Sequence, residues 1–183
     1  MKKFLLALVL LVIVGGVIVP QFFLDKAYAM DRSTTIRADP AEIVQVVSDI
    51  GTWDSWTAWN SEKDSTLVRT FTGAPGTVGH ASTWTADDLG NGSIEITAVE
   101  EMRVAYRFQA EGFDPADGAF VLSRNVDGST NVRWEMSGEI TGFPTLRYFG
   151  LLMDSMVGPD FESGLQALKK KLEGGGARAE GGE

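Results

Sequence analysis

An uninterrupted apolar run opens the chain. Residues 4–19 carry no charged side chain, and three further apolar residues follow Pro20 and Gln21. Counted to Leu24, the run would form a helix about 31 Å long at about 1.5 Å per residue, enough to cross the hydrocarbon core of a bilayer. The pattern therefore predicts one transmembrane helix within an N-terminal anchor of residues 1–26.

The charges beside this run predict its orientation. Lys2 and Lys3 precede it, so the positive-inside rule places the N-terminus in the cytoplasm and the rest of the chain on the outer, periplasmic or extracytoplasmic face of the cell membrane. The alternative is secretion after signal cleavage, because Ala27-Tyr28-Ala29 matches an A-x-A site. The long distance from the apolar run to Ala29 favours an uncleaved anchor.

Strand and short-helix patterns follow the anchor. Residues 28–36 alternate weakly and are rich in Thr and Ser, which is typical of a half-buried strand. Asp39, Pro40 and Glu42 supply a capping residue, a proline at the first helical position and an acidic third residue, and together they predict a helix start. Further strand patterns lie near residues 66–71, 79–86, 93–99, 102–110, 118–124 and 130–140. Because short links join them in sequence, they predict an antiparallel meander.

The last predicted element is a long helix from Leu146 onward. Its second half has one apolar stripe, formed by Phe161, Leu165, Leu168 and Leu172. Gly158-Pro159 predicts a bend or break, because proline removes a backbone donor and clashes with the preceding turn. The glycine-rich residues 174–183 are expected to be a disordered tail, which leaves residues 27–173 as one α+β domain.

The fold class sets the expected place of a ligand. A sheet of this length must cover its apolar face, and only the C-terminal helix is long enough to do so. We therefore expect a cavity between the sheet and that helix.

Composition excludes several classes of function. The formal net charge is −9, and such a surface repels nucleic-acid phosphates. Cysteine is absent, which excludes thiolate metal sites and cysteine nucleophiles. His80 is the single histidine and has no partner at metal-ligand spacing, so we expect neither a metal nor a cofactor.

Several segments resemble a known superfamily, and the first and last are the most widely separated of them. Residues 32–59 (RSTTIRADPAEIVQVVSDIGTWDSWTAW) resemble the opening of SRPBCC, or START-like, proteins of the polyketide cyclase/dehydrase type, and residues 158–173 (GPDFESGLQALKKKLE) resemble the closing helix of membrane-anchored members. The likeness covers roughly residues 28–173. It implies a helix-grip fold, in which a curved antiparallel sheet wraps around a long C-terminal helix.

Aromatic and methionine side chains on the predicted inner faces are the candidate ligand contacts. They are Trp56, Trp84, Tyr106, Phe108, Trp134, Met136, Phe149 and Met153. Three tryptophans fall within residues 53–59, and they could form a ligand lid, a membrane contact or a plug in the core.

These residues favour binding over catalysis. We expect a hydrophobic or amphipathic small molecule, lipid-like or polyketide-like, as the partner. The first alternative is a cyclase or dehydratase that uses His80 or Tyr106 as acid or base. The second alternative is a structural or sensing partner of an envelope complex, with no ligand. For His80 we favour the structural interpretation, a strand-end residue bonded to the backbone.

Overall fold

A computed structural model describes residues 2–18, 22–142 and 146–179. Seven strands form one antiparallel sheet in the order β1-β7-β6-β5-β4-β3-β2. Consecutive strands from β2 to β7 are neighbours, and β1 closes the order beside β7, so the predicted meander is confirmed. The strands are β1 (Ala27–Ile36), β2 (Val68–Thr72), β3 (Ala81–Thr85), β4 (Gly92–Glu100), β5 (Arg103–Ala110), β6 (Ala116–Arg124) and β7 (Thr130–Glu139).

The α-helices in the described part of the chain include α1 (Lys2–Ile13), α2 (Pro40–Ser48) and α3 (Arg147–Ala179). The α2 helix starts where the sequence predicts, and the Glu42 carboxylate accepts a hydrogen bond from the Asp39 N–H at 3.3 Å. A 3₁₀ helix, Ile50–Ser55, follows α2 directly.

The N-terminal segment differs from the single long helix that the apolar run predicts. The α1 helix ends at Ile13, π-helical residues Val14–Ile18 follow, and residues 19–21 lie outside the described ranges. Among the described helices, none combines the length and the apolar character needed to cross a bilayer.

The α3 helix runs through Pro159 without interruption, so of the predicted bend or break the break is wrong. Val157 packs against the core and Phe161 is fully buried, and this packing on both sides of the proline holds the helix together. The helix also continues to Ala179, into the segment predicted to be disordered, and residues 180–183 lie outside the described ranges.

The centre of the core is the indole of Trp134, which has no exposed surface. The ring of Phe161 on α3 stacks on it with a centroid distance of 4.1 Å and an interplanar angle of 9°. Trp53 and Trp56 meet the same indole at centroid distances of 6.2 and 5.6 Å. Trp53 and Trp56 therefore pack into the core, which is one of the three roles that the sequence left open for the tryptophan segment.

The glycines of the closing helix explain its sequence pattern. A Cβ atom on Gly164 would lie 2.9 Å from a ring carbon of Trp134, and a Cβ atom on Gly158 would overlap the guanidinium of Arg32. Both glycines thus let large side chains cross the helix at close range. Arg32 uses this position to donate hydrogen bonds to Asp154 at 2.6 Å and Glu162 at 2.7 Å, which ties β1 to α3.

We expect Leu165→Ala to lower the free energy of unfolding by about 2–5 kcal/mol, because truncation of a buried leucine removes apolar contacts and leaves a cavity. Leu165 is 1% exposed, whereas Leu151 on the same helix is 66% exposed. The matched control Leu151→Ala should change stability by less than about 0.5 kcal/mol. Urea unfolding of the full chain, followed by tryptophan fluorescence, measures both, and equal losses would contradict a core sealed by the second half of α3.

Candidate functional site

Two apolar cavities lie side by side on the inner face of the sheet and share Phe108 as a wall. The first, here called the tryptophan cavity, has a volume of about 330 Å³. Its walls are Trp53, Thr57, Trp59, Lys63, Leu67, Arg69, Trp84, Asp88, Leu89, Ile94, Tyr106, Phe108 and Met136. No residue of α3 lines it, so this cavity lies beside the C-terminal helix, whereas the sequence led us to expect a cavity under that helix.

The second cavity, here called the helix cavity, has a volume of about 440 Å³ and lies beneath the first turns of α3. Phe149, Met153 and Met156 line it from the helix, and Tyr28 and Phe108 line it from the sheet. Its position is the one that the fold argument predicts for a ligand.

A larger concavity, of about 570 Å³, lies on the outer face of the sheet. Its lining includes the charged residues Asp31, Arg103, Asp117, Arg133 and Glu135. Such a charged, open surface does not suit an apolar ligand, because desolvating these groups would cost more than apolar contacts return.

Glycines opposite the aromatic residues shape the tryptophan cavity. Trp84 on β3 pairs with Gly92 on β4, and a Cβ atom on Gly92 would overlap the indole. The indole therefore lies flat across β4, and its centroid is 5.7 Å from that of Phe108 on β5. The glycine in the middle strand allows these two side chains to form one continuous wall.

The same arrangement orients Tyr106. This residue on β5 pairs with Gly118 on β6, where a Cβ atom would collide with the phenol ring. The ring crosses β6, and the Tyr106 hydroxyl accepts a hydrogen bond from Trp134 Nε1 at 2.7 Å. Burial raises the pKa of Tyr106, and the hydrogen bond from Trp134 opposes this only in part. The phenol therefore keeps its proton and can act as a hydrogen-bond donor.

Asp64 holds the rim of the tryptophan cavity in place. Its carboxylate accepts hydrogen bonds from the Thr66 hydroxyl at 2.6 Å, and from the backbone N–H groups of Thr66, Asp88 and Leu89 at 2.9, 2.7 and 3.0 Å. These bonds, of which that from the Thr66 hydroxyl has the largest effect, hold the pKa of Asp64 well below its usual range. The carboxylate thereby joins the segment before β2 to the loop between β3 and β4, on either side of the cavity mouth.

The predicted ligand contacts divide among three places. Trp84, Tyr106, Phe108 and Met136 line the tryptophan cavity, and Phe149 and Met153 line the helix cavity together with Phe108. Trp56 and Trp134 line neither cavity, because both indoles are packed into the aromatic core against each other and against Phe120. Trp56 and Trp134 could contact a ligand only if this aromatic core opened.

Trp53 and Trp59 also line this cavity, as the ligand-lid alternative allowed, whereas Leu67 and Arg69 were missed in the sequence. Leu67 and Arg69 are two positions apart in a predicted strand, so the period-two alternation could have placed both on one face. The charge of Arg69 argued against an inner position, because arginine is rarely buried without a partner.

His80 has a structural position. It is 2% exposed, immediately before β3, and its Nδ1 is 3.1 Å from the backbone oxygen of Thr72. Its Nε2 lies 3.5 Å from a carboxylate oxygen of Asp49, and its ring stacks on Phe71. It lines neither apolar cavity. This is the geometry of a strand-end histidine bonded to the backbone, the interpretation that the sequence favours.

Acidic and histidine side chains do not gather into a metal-binding group anywhere in the described part of the chain.

Comparison with known proteins identifies the fold. The family model described as "Polyketide cyclase / dehydrase and lipid transport" matches residues 28–173. A comparison of the sequence with curated proteins found no match.

Solved structures share the architecture at low sequence identity. A protein from Thermobifida fusca, solved by solution NMR, is similar with a TM-score of 0.58 and 17% identity over 79% of this chain and 92% of its own. The di-domain ARO/CYC StfQ from the steffimycin biosynthetic pathway gives 0.62 and 10% over 84% of this chain and 53% of its own. A protein from Mesorhizobium loti gives 0.54 and 20% over 78% of this chain and 97% of its own. At these identities the likeness shows the fold alone.

We expect Asp64→Asn to destabilise the protein at neutral pH, because an amide cannot accept all the hydrogen bonds that the carboxylate accepts. Since the folded pKa of Asp64 lies below the unfolded value of about 3.9, its stabilising effect is complete above about pH 5 and declines as the pH falls below about 4. The stability difference between parent and variant should therefore shrink in acid.

Urea midpoints measured from pH 7 down to pH 3 test this expectation. Asp87→Asn is the matched control, because the Asp87 carboxylate is exposed and accepts no hydrogen bond from the described residues. A stability difference that stays constant with pH would show that the carboxylate charge of Asp64 is not what holds the rim.

Proposed function

Because the chain belongs to the polyketide cyclase/dehydrase and lipid-transport family, we propose that it reversibly binds a hydrophobic or amphipathic small molecule, and that the tryptophan cavity is the principal site. The observation that carries the proposal is the cavity wall formed by Trp84, Phe108 and Met136 on three different strands. Ligand cavities in proteins are typically of about 300–1,000 Å³ and mostly apolar, with a few polar groups that fix orientation. The tryptophan cavity has this size and character.

The adjacent helix cavity extends the apolar surface that a ligand can use. Phe108 separates the two spaces, and Met153 and Met156 supply adaptable side chains on the far side. A ligand body held in the tryptophan cavity would lie next to this second apolar space.

Catalysis is the rival function. The family description includes cyclases and dehydrases, and StfQ is a di-domain ARO/CYC. Of His80 and Tyr106, only Tyr106 lines a cavity. Its raised pKa keeps the phenol protonated and moves it away from the near-neutral pKa that suits a catalytic acid or base. His80 would have to move to reach a molecule in either cavity, so the acid–base pair that an enzyme would use is not assembled, and binding is better supported.

We also propose that the N-terminal segment holds the domain at a membrane, with the domain on the outer face. Most of α1 is apolar and exposed, and the exposed fractions are 73% for Leu6 and 70% for Leu11. The Tyr148 hydroxyl donates a hydrogen bond to the Gly15 backbone oxygen at 2.6 Å, so the segment contacts the beginning of α3.

Exposed apolar residues continue from that contact along α3. Leu151, Leu152 and Met156 are 66%, 51% and 57% exposed, and Met156 lines the helix cavity. We infer from this apolar surface that, in the proposed membrane-bound state, the helix cavity faces the bilayer. The negative net charge of the chain opposes binding to anionic headgroups, so apolar contacts have to supply the attraction.

We expect Leu67→Trp to fill the tryptophan cavity and weaken the binding of a neutral apolar fluorescent probe by at least about tenfold, equivalent to about 1.4 kcal/mol. The matched control is Val68→Trp, because Val68 is the next residue and is 63% exposed. Unchanged probe binding in Leu67→Trp would remove the tryptophan cavity from the proposal.

Native mass spectrometry of the detergent-extracted protein gives the second readout. A co-purifying small molecule should be present in the parent and in Val68→Trp and depleted in Leu67→Trp. If that molecule is recovered chemically changed after incubation with fresh protein, the cyclase or dehydratase function takes precedence over binding.

To test the membrane proposal, a reporter that works only outside the cytoplasm is fused after Glu183. We expect it to be active, because Lys2 and Lys3 retain the N-terminus inside and place the domain outside. Activity of a reporter that works only in the cytoplasm would contradict this orientation. A mature N-terminus at Met30, detected by sequencing, would contradict the anchor and indicate a secreted protein.

A further inference from the structure

Arg69 on β2 is a cation on the wall of an apolar cavity. Its guanidinium carbon lies 5.5 Å from the ring centroid of Trp84, with which Arg69 pairs in the sheet. Its Nη2 donates a hydrogen bond to the Trp59 backbone oxygen at 2.7 Å. These two contacts fix the plane of the guanidinium against the cavity wall.

The remaining hydrogen-bonding capacity of Arg69 is not used by the described residues. A guanidinium has five N–H donors, and the Nε of Arg69 is buried and has no hydrogen-bond partner there. No described carboxylate lies within ion-pairing distance of Arg69. A buried donor without an acceptor is costly, so such a group in a protein normally has one, whether a protein group, a water molecule or a ligand.

Electrostatics agrees with this interpretation. Burial lowers the pKa of Arg69, and the charge of Asp54 opposes this from a distance without a direct contact. Lys63, the other cation of the cavity, is already paired with Asp160 at 3.3 Å. Asp88 is exposed at the rim, so it acts on the cavity mainly through solvent. The uncompensated positive charge of the cavity is therefore that of Arg69.

Tyr106 also lines this cavity, but its ring crosses β6 and its hydroxyl meets Trp134, on the side away from β2 and Arg69. Its oxygen accepts the hydrogen bond from Trp134, and its own hydrogen has no acceptor among the described residues. The cavity thus combines apolar walls with one guanidinium that no described anion neutralises.

We propose that Arg69 binds the carboxylate of an amphipathic carboxylic acid whose apolar body occupies the tryptophan cavity. This inference rests on the proposed binding function and names the class of its ligand. A guanidinium pairs with a carboxylate through two parallel hydrogen bonds, which neutral donors cannot reproduce. A volume of about 330 Å³ suits one apolar chain or ring system better than a lipid with two chains.

The net charge of −9 opposes an anionic ligand at long range. Salt screens exposed charges beyond about 10 Å at 0.1 M ionic strength, whereas a buried contact with Arg69 is screened much less. The local contact should therefore decide the preference.

The test compares dodecanoic acid with dodecanol, which share an apolar chain and differ in the charged head. Each compound displaces a neutral apolar probe from the full chain in detergent, and the readout is the ratio of their dissociation constants. In Arg69→Met the affinity for dodecanoic acid should fall about ten- to hundredfold, the loss expected for a charge-assisted hydrogen bond, while the affinity for dodecanol stays within about threefold. Arg69→Lys should keep part of the preference, because it retains the charge and loses the planar fork.

Arg107→Met is the matched control, since Arg107 is an exposed arginine of β5 that pairs with Asp117 on the outer face. It removes one positive charge from the protein and should leave the ratio unchanged. Urea midpoints of all variants, together with their dodecanol affinity, report whether the fold survives.

Equal losses of acid and alcohol affinity in Arg69→Met, or no loss of acid affinity, would overturn the proposal. Dodecyl phosphate is measured in the same way. If Arg69→Met weakens the binding of dodecyl phosphate but not that of dodecanoic acid, the carboxylate assignment is overturned. If the parent binds dodecanol but not dodecanoic acid, this inference fails while the binding function stands. If the parent binds neither compound nor the probe, the binding function itself has failed.

Discussion

The stack of Phe161 on Trp134 is the constraint on which the rest of the structure depends. An indole with no exposed surface has to find both an apolar surface for its faces and an acceptor for its N–H. Phe161 supplies the surface, and the hydroxyl of Tyr106 supplies the acceptor at 2.7 Å. The stack fixes α3 against the sheet, and the hydrogen bond fixes the phenol at the wall of the tryptophan cavity. The core and the candidate site are therefore built on the same side chain.

Most of the fold could be predicted from the sequence, because it depends on local patterns. Alternation placed Tyr106, Phe108, Trp134 and Met136 on inner faces, and the capping residues located the start of α2. The position of the cavity could not be predicted in this way. Period two tells which side of a strand faces inward, but not whether the helix covers that side. Trp134 lies under α3 and is packed, whereas Trp84 lies on β3, away from the helix, and lines a cavity.

The polar residues of the site were the hardest to predict. Asp64 bonds to the backbone of Asp88 and Leu89, residues 24 and 25 positions away, and no spacing rule links such partners. Arg69 contradicts the usual rule that charged side chains face solvent, and the fold makes room for it through Trp84 and the Trp59 carbonyl. Departures of this kind from local rules are expected at functional sites, where binding and not stability sets the residue.

The pairing of glycine with a large aromatic ring has a consequence for how the sequence can vary. Gly92, Gly118 and Gly138 each lie opposite an aromatic residue, and an added Cβ atom would overlap the rings of Trp84, Tyr106 and Tyr28 in turn. A substitution of one member of such a pair is disfavoured. A larger residue in place of the glycine would displace the ring, and a smaller residue in place of the aromatic one would leave the glycine backbone uncovered. In an alignment of homologues these positions should co-vary as three coupled pairs, and each pair should change in a single evolutionary step or not at all.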